Sequence, residues 1–218
     1  MTDISEIELF RESTRKFLEK EFLPNYDKWE KDEIVPRSVW KALGDNGLLC
    51  VDMPEEYGGA GATFRLSTVI IEEMSRLGFG ALASNVSVHS DIVAPYILHL
   101  GNEAQKNKWL PKMITGEAVG AIAMTEPAAG SDLQGMQMRA VKNAEGYVLD
   151  GAKTFITNGQ HCDVVVMAAK TDTSKGSKGI TLFTVDTSLP GFHRGRNLEK
   201  IGQHAADTSE MFLESVQL

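Results

Sequence analysis

The fold changes character along "GEAVGAIAMTE", residues 116–126, where the spacing of apolar residues switches from one periodicity to another. Before Gly116 the apolar positions recur at helical spacing, and after it they alternate in short runs separated by Gly, Asn, Asp and Pro. We therefore predict an α+β multi-domain fold. An N-terminal all-α helical bundle covers residues 1–116, and an antiparallel β-barrel or sandwich domain covers residues 117–218.

In the first half, each predicted helix has a start or stop signal. The Ser5-x-x-Glu8 pattern has the form of a capping box, Pro36 suits the first turn of a helix, and Asn102 with Gln105 repeats the capping pattern. Pro95 is expected to end or kink its helix. The predicted helices run from Ser5 to near Pro24, from Pro36 to Gly44, from Leu66 to Leu77, through Ser87–Gly101 and from Asn102 to Gly116.

In the second half, the runs rich in Val, Ile, Phe and Thr predict about six to eight strands, enough for a closed or sandwiched sheet. The clearest runs are "GAIAMTE", "QMRAVKN", "GYVLDGAKTFIT", "DVVVMAAKT", "GITLFTVD" and "SEMFLESVQL".

Composition excludes several classes of function. A net charge of −8 argues against a nucleic-acid surface, and no apolar run is long enough to cross a bilayer. "MTDISEIELF" resembles neither a signal nor a transit peptide, so a cytoplasmic location is expected, although a processed mitochondrial protein would look the same. The two cysteines and five histidines lack metal-site spacing. Glu72 and Glu73 are interpreted as a solvated helix face.

Familiar nucleotide and hydrolase motifs are also missing. "GGAGAT", residues 58–63, lacks the third glycine and the βαβ context of a dinucleotide fold, and "GSKG", residues 176–179, is no phosphate-binding loop. Ser131 has no GxSxG elbow around it.

Two stretches remain as candidates for a binding site. "AMTEPAAGSDLQG", residues 123–135, places small residues where backbone N–H groups could approach an anion, and Thr125 adds a hydroxyl at a strand end. In "GAKTFITNG", residues 151–159, alternation would put Phe155 and Thr157 on one face. From the residues alone, a cofactor site and ordinary turn chemistry both remain open.

The two stretches, in this order and at this separation, resemble the acyl-CoA dehydrogenase family. "AMTEPAAGSD" is similar to its T-E-P-x-A-G-S-D signature, "GAKTFITNG" to its G-x-K-x-W/F-I-T/S-N-G strand, and "PEEYGGAG" to a loop of its helical domain. The match covers essentially the whole chain. Phe155, where many members have Trp, resembles the long-chain branch.

The resemblance implies FAD as the cofactor and a fatty acyl-CoA thioester, oxidised to the trans-2-enoyl-CoA in fatty acid β-oxidation, as the substrate. The strand from Ile122 through Met124 to Thr125 would contact the isoalloxazine, Gly130 and Ser131 would reach the cofactor, Phe155 and Ile156 would pack on the ring, and Thr157 would lie near N5. Ser131 would also border the thioester. Ser177 and Lys178 would lie near the CoA moiety.

The resemblance also implies what lies outside this sequence. The family's catalytic glutamate comes from a C-terminal four-helix bundle, and the sequence ends at Leu218 before such a segment. We therefore assign no catalytic base and expect these 218 residues alone to be inactive in dehydrogenation. An electron-transferring flavoprotein would accept the electrons, and the full-length parent would be a homotetramer or homodimer.

Two alternatives stay open. An acyl-CoA oxidase or nitroalkane oxidase, which resembles the same family, would pass electrons to oxygen instead. A non-catalytic protein or fragment that binds flavin or acyl-CoA would account for the missing bundle, but it gives no reason to keep Thr125, Ser131 and Thr157 together.

Overall fold

The computed structural model describes residues 4–218, in which a helical half is followed by one seven-stranded sheet. No helix among these residues has the length and apolar character needed to cross a membrane. The helices are α1 (Ile4–Glu21), α2 (Tyr26–Asp32), α3 (Arg37–Asp45), α4 (Phe64–Arg76), α5 (Gly80–Ser87), α6 (Ala94–Leu100) and α7 (Glu103–Ile114).

Some helix boundaries follow the local signals, whereas α5 ends at Ser87, where the sequence predicts that a helix begins. Asn102 and Gln105 form the predicted capping box at the start of α7, and Pro36 directly precedes α3. The helix α1 already begins at Ile4, so Ser5 lies inside it rather than at its cap. Pro95 does not end the helical conformation, because the backbone stays helical from α5 through the π-helical turn Val88–Val93 into α6, and Pro95 lies in the first turn of α6.

The strands are β1 (Gly120–Ala123), β2 (Arg139–Lys142), β3 (Tyr147–Thr157), β4 (Val164–Lys170), β5 (Ile180–Asp186), β6 (Phe192–Asn197) and β7 (Thr208–Gln217). Their order is β1-β4-β2-β3-β7-β6, and β5 pairs with β4. The predicted β-domain is confirmed, but its pairing is not antiparallel throughout. The strand β4 pairs in parallel with β1 and, at Arg139↔Lys170, with β2, because the chain crosses over between these strands.

The strand β4 joins the two halves of the chain. Val164 and Val166 belong to the core of the helical half, whereas Val165, Met167 and Ala169 belong to the core of the β-domain. Because successive side chains of a strand point to opposite faces, a strand covered on both sides reads as a continuous apolar run. This explains why "VVVMAA" shows no alternation of polar and apolar residues.

The interpretation of Glu73 as part of a solvated face is wrong. Its side chain is buried and lies between α4 and α1, where Nε of Arg15 donates to it at 2.7 Å and Nη1 of Arg11 at 2.9 Å. Two guanidinium groups compensate the loss of water around the carboxylate. Glu72 remains largely exposed, as predicted.

Candidate functional site

The two candidate stretches are neighbours in the structure. The amide of Thr154 donates to the carbonyl oxygen of Thr125 at 3.0 Å, and Nζ of Lys153 donates to the carbonyl oxygen of Met124 at 3.0 Å. The C-terminal end of β1 therefore lies against the second half of β3. Residues that are 29 positions apart in the chain form one edge of the β-domain.

The first stretch folds as a tight turn followed by an open loop. Glu126 and Ala129 exchange backbone hydrogen bonds of 2.8 and 3.1 Å around Pro127 and Ala128. Gly130 and Ser131 follow and are exposed. A Cβ atom placed on Gly130 would meet no atom of residues 4–218 within 4 Å, so space is open beside it.

The loop and the strand ends beside it offer hydrogen-bond donors that none of the described residues uses. Among residues 4–218, no acceptor receives the amide protons of Gly130 or Ser131, and the hydroxyl groups of Thr125, Ser131 and Thr157 make no hydrogen bond. Thr125 and Thr157 are half-buried, so their hydroxyl groups are only partly hydrated. Unused donors at a strand end beside open space suit a ligand with several acceptor atoms.

The second stretch departs from regular strand geometry. The pairing of β3 with β7 shifts between Lys153 and Ile156, where β3 carries one extra residue. Phe155 sits in this bulge with φ of 58°, a conformation that side chains with a Cβ rarely adopt. The alternation that predicted a shared face for Phe155 and Thr157 is therefore interrupted.

The bulge changes which side chains are accessible. Phe155 is 67 % exposed, which is unusual for an aromatic ring in a strand, while Ile156 is buried in the core of the β-domain. Ile122 and Met124 are half-buried at the end of β1. An aromatic surface thus adjoins the unused donors, and Ile156 anchors the strand beneath it.

The loop that carries Ser177 and Lys178 adjoins the first stretch. A Cβ atom on Gly176 would lie 3.4 Å from Oε1 of Gln134, which follows Ser131 in the open loop. Asp172 caps this second loop, and hydrogen bonds from Ser174 and Lys175 lower its pKa to about 2. Of the described residues, none forms an ion pair with Lys178, so its ammonium group is available to an anion.

Sequence reasoning missed two residues that hold this edge together. Glu126 and Lys153 form a buried ion pair, with 2.9 Å between Nζ and Oε1. Both lie within the quoted stretches, but neither was considered a functional candidate. The sequence did carry a signal for Lys153: it lies four positions after Leu149, so the alternation of a strand puts both side chains on the same, buried face.

Comparison with known proteins places the chain in a family. Residues 5–117 match "Acyl-CoA dehydrogenase, N-terminal domain" and residues 121–216 match "Acyl-CoA dehydrogenase, middle domain". The long-chain specific acyl-CoA dehydrogenase of Sus scrofa mitochondria is 44 % identical over 98 % of this chain and 50 % of its own length. Mitochondrial isovaleryl-CoA dehydrogenase of Arabidopsis thaliana is 40 % identical over 94 % of this chain and 51 % of its own.

Solved structures agree with this assignment. An acyl-CoA dehydrogenase from Geobacillus kaustophilus superimposes with a TM-score of 0.94 at 51 % identity, over 97 % of this chain and 56 % of that one. An acyl-CoA dehydrogenase complexed with FAD, from Bacillus anthracis, gives 0.88 at 35 % identity, over 98 % of this chain and 36 % of that one. The chain spans about half the length of the curated relatives it matches, and it belongs to the acyl-CoA dehydrogenase family.

Proposed function

We propose that the chain forms the cofactor-facing and substrate-facing part of an FAD-dependent enzyme that oxidises fatty acyl-CoA thioesters to trans-2-enoyl-CoA. The observation that carries this proposal is the edge where β1 meets β3, with its unused donors, exposed aromatic ring and open space. Family membership supports FAD and an acyl-CoA thioester as the ligands. The reaction class is supported by the names of the relatives, which are long-chain specific acyl-CoA dehydrogenase and isovaleryl-CoA dehydrogenase.

The residues of this edge fit a flavin. The amides of Gly130 and Ser131 and the hydroxyl groups of Thr125 and Thr157 would donate to acceptor atoms of the cofactor, and Phe155 would cover part of the ring. Ile122 and Met124 would contact the isoalloxazine from β1, and Ile156 would support the ring from below. When bound, FAD accepts the hydride that leaves the β-carbon of the substrate.

The substrate would lie along the adjoining loops. Ser131 would border the thioester, and Ser177 with Lys178 would contact the CoA moiety, whose phosphates suit a lysine that has no ion-pair partner among residues 4–218. Local charge matters here because the chain as a whole carries −8. These residues bind and orient the substrate. No acidic residue of this chain is proposed as the base that removes the α-proton.

We propose the long-chain class of substrate, since the long-chain relative is slightly more similar than the isovaleryl one. An electron-transferring flavoprotein as acceptor, and a homodimer or homotetramer as the assembled state, stay predictions. A cytoplasmic location also stays a prediction, and it finds no support in the names of the relatives, which place those proteins in mitochondria.

The experiment is a visible spectrum of the purified chain after incubation with FAD and desalting, before and after anaerobic addition of palmitoyl-CoA or isovaleryl-CoA. Retained flavin supports the cofactor site. Bleaching by palmitoyl-CoA supports the long-chain class and contradicts the predicted inactivity of these 218 residues. Retained flavin without bleaching supports binding without turnover. Loss of all flavin on desalting contradicts an FAD site formed by this chain.

A further inference from the structure

The Glu126–Lys153 pair is enclosed by the protein. The side chain of Lys153 has no exposed surface and that of Glu126 is 4 % exposed. Burial lowers the pKa of Lys153, and the neighbouring carboxylate of Glu126 partly opposes this effect. A buried ion pair gains little net stability over apolar side chains of similar volume. Its presence beside the candidate site therefore calls for a reason other than stability.

Glu126 connects three segments of the chain. Its Oε1 accepts hydrogen bonds from Nζ of Lys153 at 2.9 Å and from the amide of Met138 at 3.1 Å, and its Oε2 accepts one from the amide of Gln137. Its backbone closes the turn with Ala129. The open loop that carries Gly130 and Ser131 is thus tied to Glu126 at both ends, through the backbone at Ala129 and through the carboxylate at Gln137 and Met138.

Lys153 connects the open loop to β3. Besides Glu126, its ammonium group donates to the carbonyl oxygen of Met124, the residue before Thr125. The adjacent amide of Thr154 donates to Thr125 itself, and the bulge at Phe155 follows directly. The charged pair, together with the backbone hydrogen bond from Thr154 to Thr125, therefore holds the donors of the first stretch against those around Thr157.

We propose that Glu126 and Lys153 are positioning residues for the flavin and acyl-CoA site: the pair holds the loop of Gly130 and Ser131 and the end of β3 in register with each other. The inference rests on the proposed function for the identity of the ligand. The placement of the two segments stands on the contacts alone. Such an arrangement preorganises a site, because the donors are ordered before the ligand arrives.

The test compares four variants of the 218-residue chain. Lys153→Met removes the charge at similar length, Glu126→Gln removes the partner charge, and Lys153→Arg restores a cation. Val216→Ala is the matched control, since Val216 is fully buried in β7 of the same sheet and pairs with Leu149, which lies outside both stretches. Thermal unfolding ranks the general destabilisation of each variant.

The first measurement is hydrogen exchange of peptides covering residues 124–138 and 153–157, without ligand, well below the unfolding temperature. We expect about tenfold or faster exchange of these peptides in Lys153→Met and Glu126→Gln, partial recovery in Lys153→Arg, and no selective change in Val216→Ala. If the peptides exchange as in the wild type, or no faster than in Val216→Ala, the pair does not order the site and the proposal is overturned.

The second measurement is the FAD dissociation constant, followed by flavin fluorescence, with the visible spectrum of the bound flavin. We expect binding to weaken about tenfold in Lys153→Met but not in Val216→Ala at equal thermal stability. Unchanged affinity and spectrum despite faster exchange would also overturn the positioning role. If the wild type itself binds no FAD, the proposed function fails, while the exchange data still decide whether the pair orders the two segments.

Discussion

The amide of Gly120, the first residue of β1, donates to Nδ1 of His89 at 3.0 Å, and Nε2 of the same ring lies 3.0 Å from the carbonyl oxygen of Met113. One neutral imidazole thus bridges the end of α7 and the start of the sheet. Protonation would put a donor opposite the Gly120 amide, and burial lowers the pKa of His89 to about 4.

Because of this contact, we expect the protein to lose stability at pH values above those at which carboxylates titrate. The unfolded chain binds a proton at His89 below pH 6.5, while the folded chain resists it until about pH 4, so stability is full above 6.5 and falls as the pH drops toward 4. The complete loss corresponds to about 3 kcal/mol. When the free energy of unfolding is measured with urea between pH 7.5 and 4, it should depend less steeply on pH in His89→Gln than in the wild type. The exposed His99→Gln should keep the wild-type slope; equal slopes in all three would contradict the prediction.

Glu73 should give the stability a second dependence on pH, at more acidic values. Hydrogen bonds from Arg15, and then Arg11, lower the pKa of Glu73, so its stabilisation is present above about pH 4.5 and is lost as the pH falls through the lower folded value. We expect Glu73→Gln to cost about 1–3 kcal/mol at pH 7, and the difference from wild type to shrink near pH 3.

The neighbouring Glu72→Gln is the control for Glu73, with an expected change of about 0–1 kcal/mol because the Glu72 side of its pair with Arg11 is exposed. Chemical denaturation at both pH values measures the difference. Equal effects of the two substitutions at pH 7 would show that burial of Glu73 does not matter.

Gly44 in α3 should resist the substitution that usually improves a helix. A Cβ atom there would lie 2.3 Å from the backbone of Thr115, after α7, so Gly44→Ala must push two helices apart. We expect a loss of about 1–3 kcal/mol, against a gain of about 1 kcal/mol for an unobstructed helical site. Thermal unfolding measures the loss, with Gly202→Ala as control because a Cβ atom there would have no described atom within 4 Å. A more stable Gly44→Ala would disprove this close contact.

Arg37 links the helical half to the β-domain, and we expect that lysine cannot replace it. Its guanidinium group donates to the carbonyl oxygen of Glu117 at 2.7 Å, to that of His161, and to the carboxylate of Asp163. Lysine has one nitrogen and cannot reach three acceptors in a fork. Arg37→Lys should cost about 1–3 kcal/mol in urea unfolding. Arg65→Lys, on the exposed face of α4, should cost nothing measurable; similar values would remove Arg37 as a link.

The hydroxyl groups of Thr125 and Thr157 are expected to act on cofactor binding rather than on folding. Neither group has a partner within the described residues, so Thr→Val at either position should leave the unfolding temperature almost unchanged. FAD binding should weaken about fivefold to tenfold, as for the loss of one hydrogen bond. Thr184→Val, on β5, is the control. Unaltered flavin affinity in both variants would exclude a direct contact through the hydroxyl groups.

Much of the fold could be read from local patterns, and the exceptions have physical reasons. Helix α7 was predicted at its cap, where a side chain bonds its own backbone. Helix α2 has only seven residues, too few for a periodic signal, and β6 is a short polar strand at the edge of the sheet. Both depend on tertiary contacts for their stability.

The candidate site was predicted less completely. Thr125, Gly130 and Ser131 stand out as candidates because small and hydroxyl residues cluster in the sequence, and their role stays a prediction. The bulge at Phe155 leaves no local trace, since a bulky residue at positive φ contradicts its own preference. The pairing of Glu126 with Lys153 depends on the register of strands that are distant in sequence, which no local pattern specifies.

The two-sided burial of β4 bears on how this chain could be divided or recombined. The predicted boundary at residues 116 and 117 separates two types of secondary structure, but Val164 and Val166 fill the core of the helical half from the far side of it. A gene cut there would give a first product lacking part of its own interior and a second product with an uncovered apolar strand. The two segments should therefore be inherited, exchanged and expressed as one unit, despite the change of pattern along the sequence.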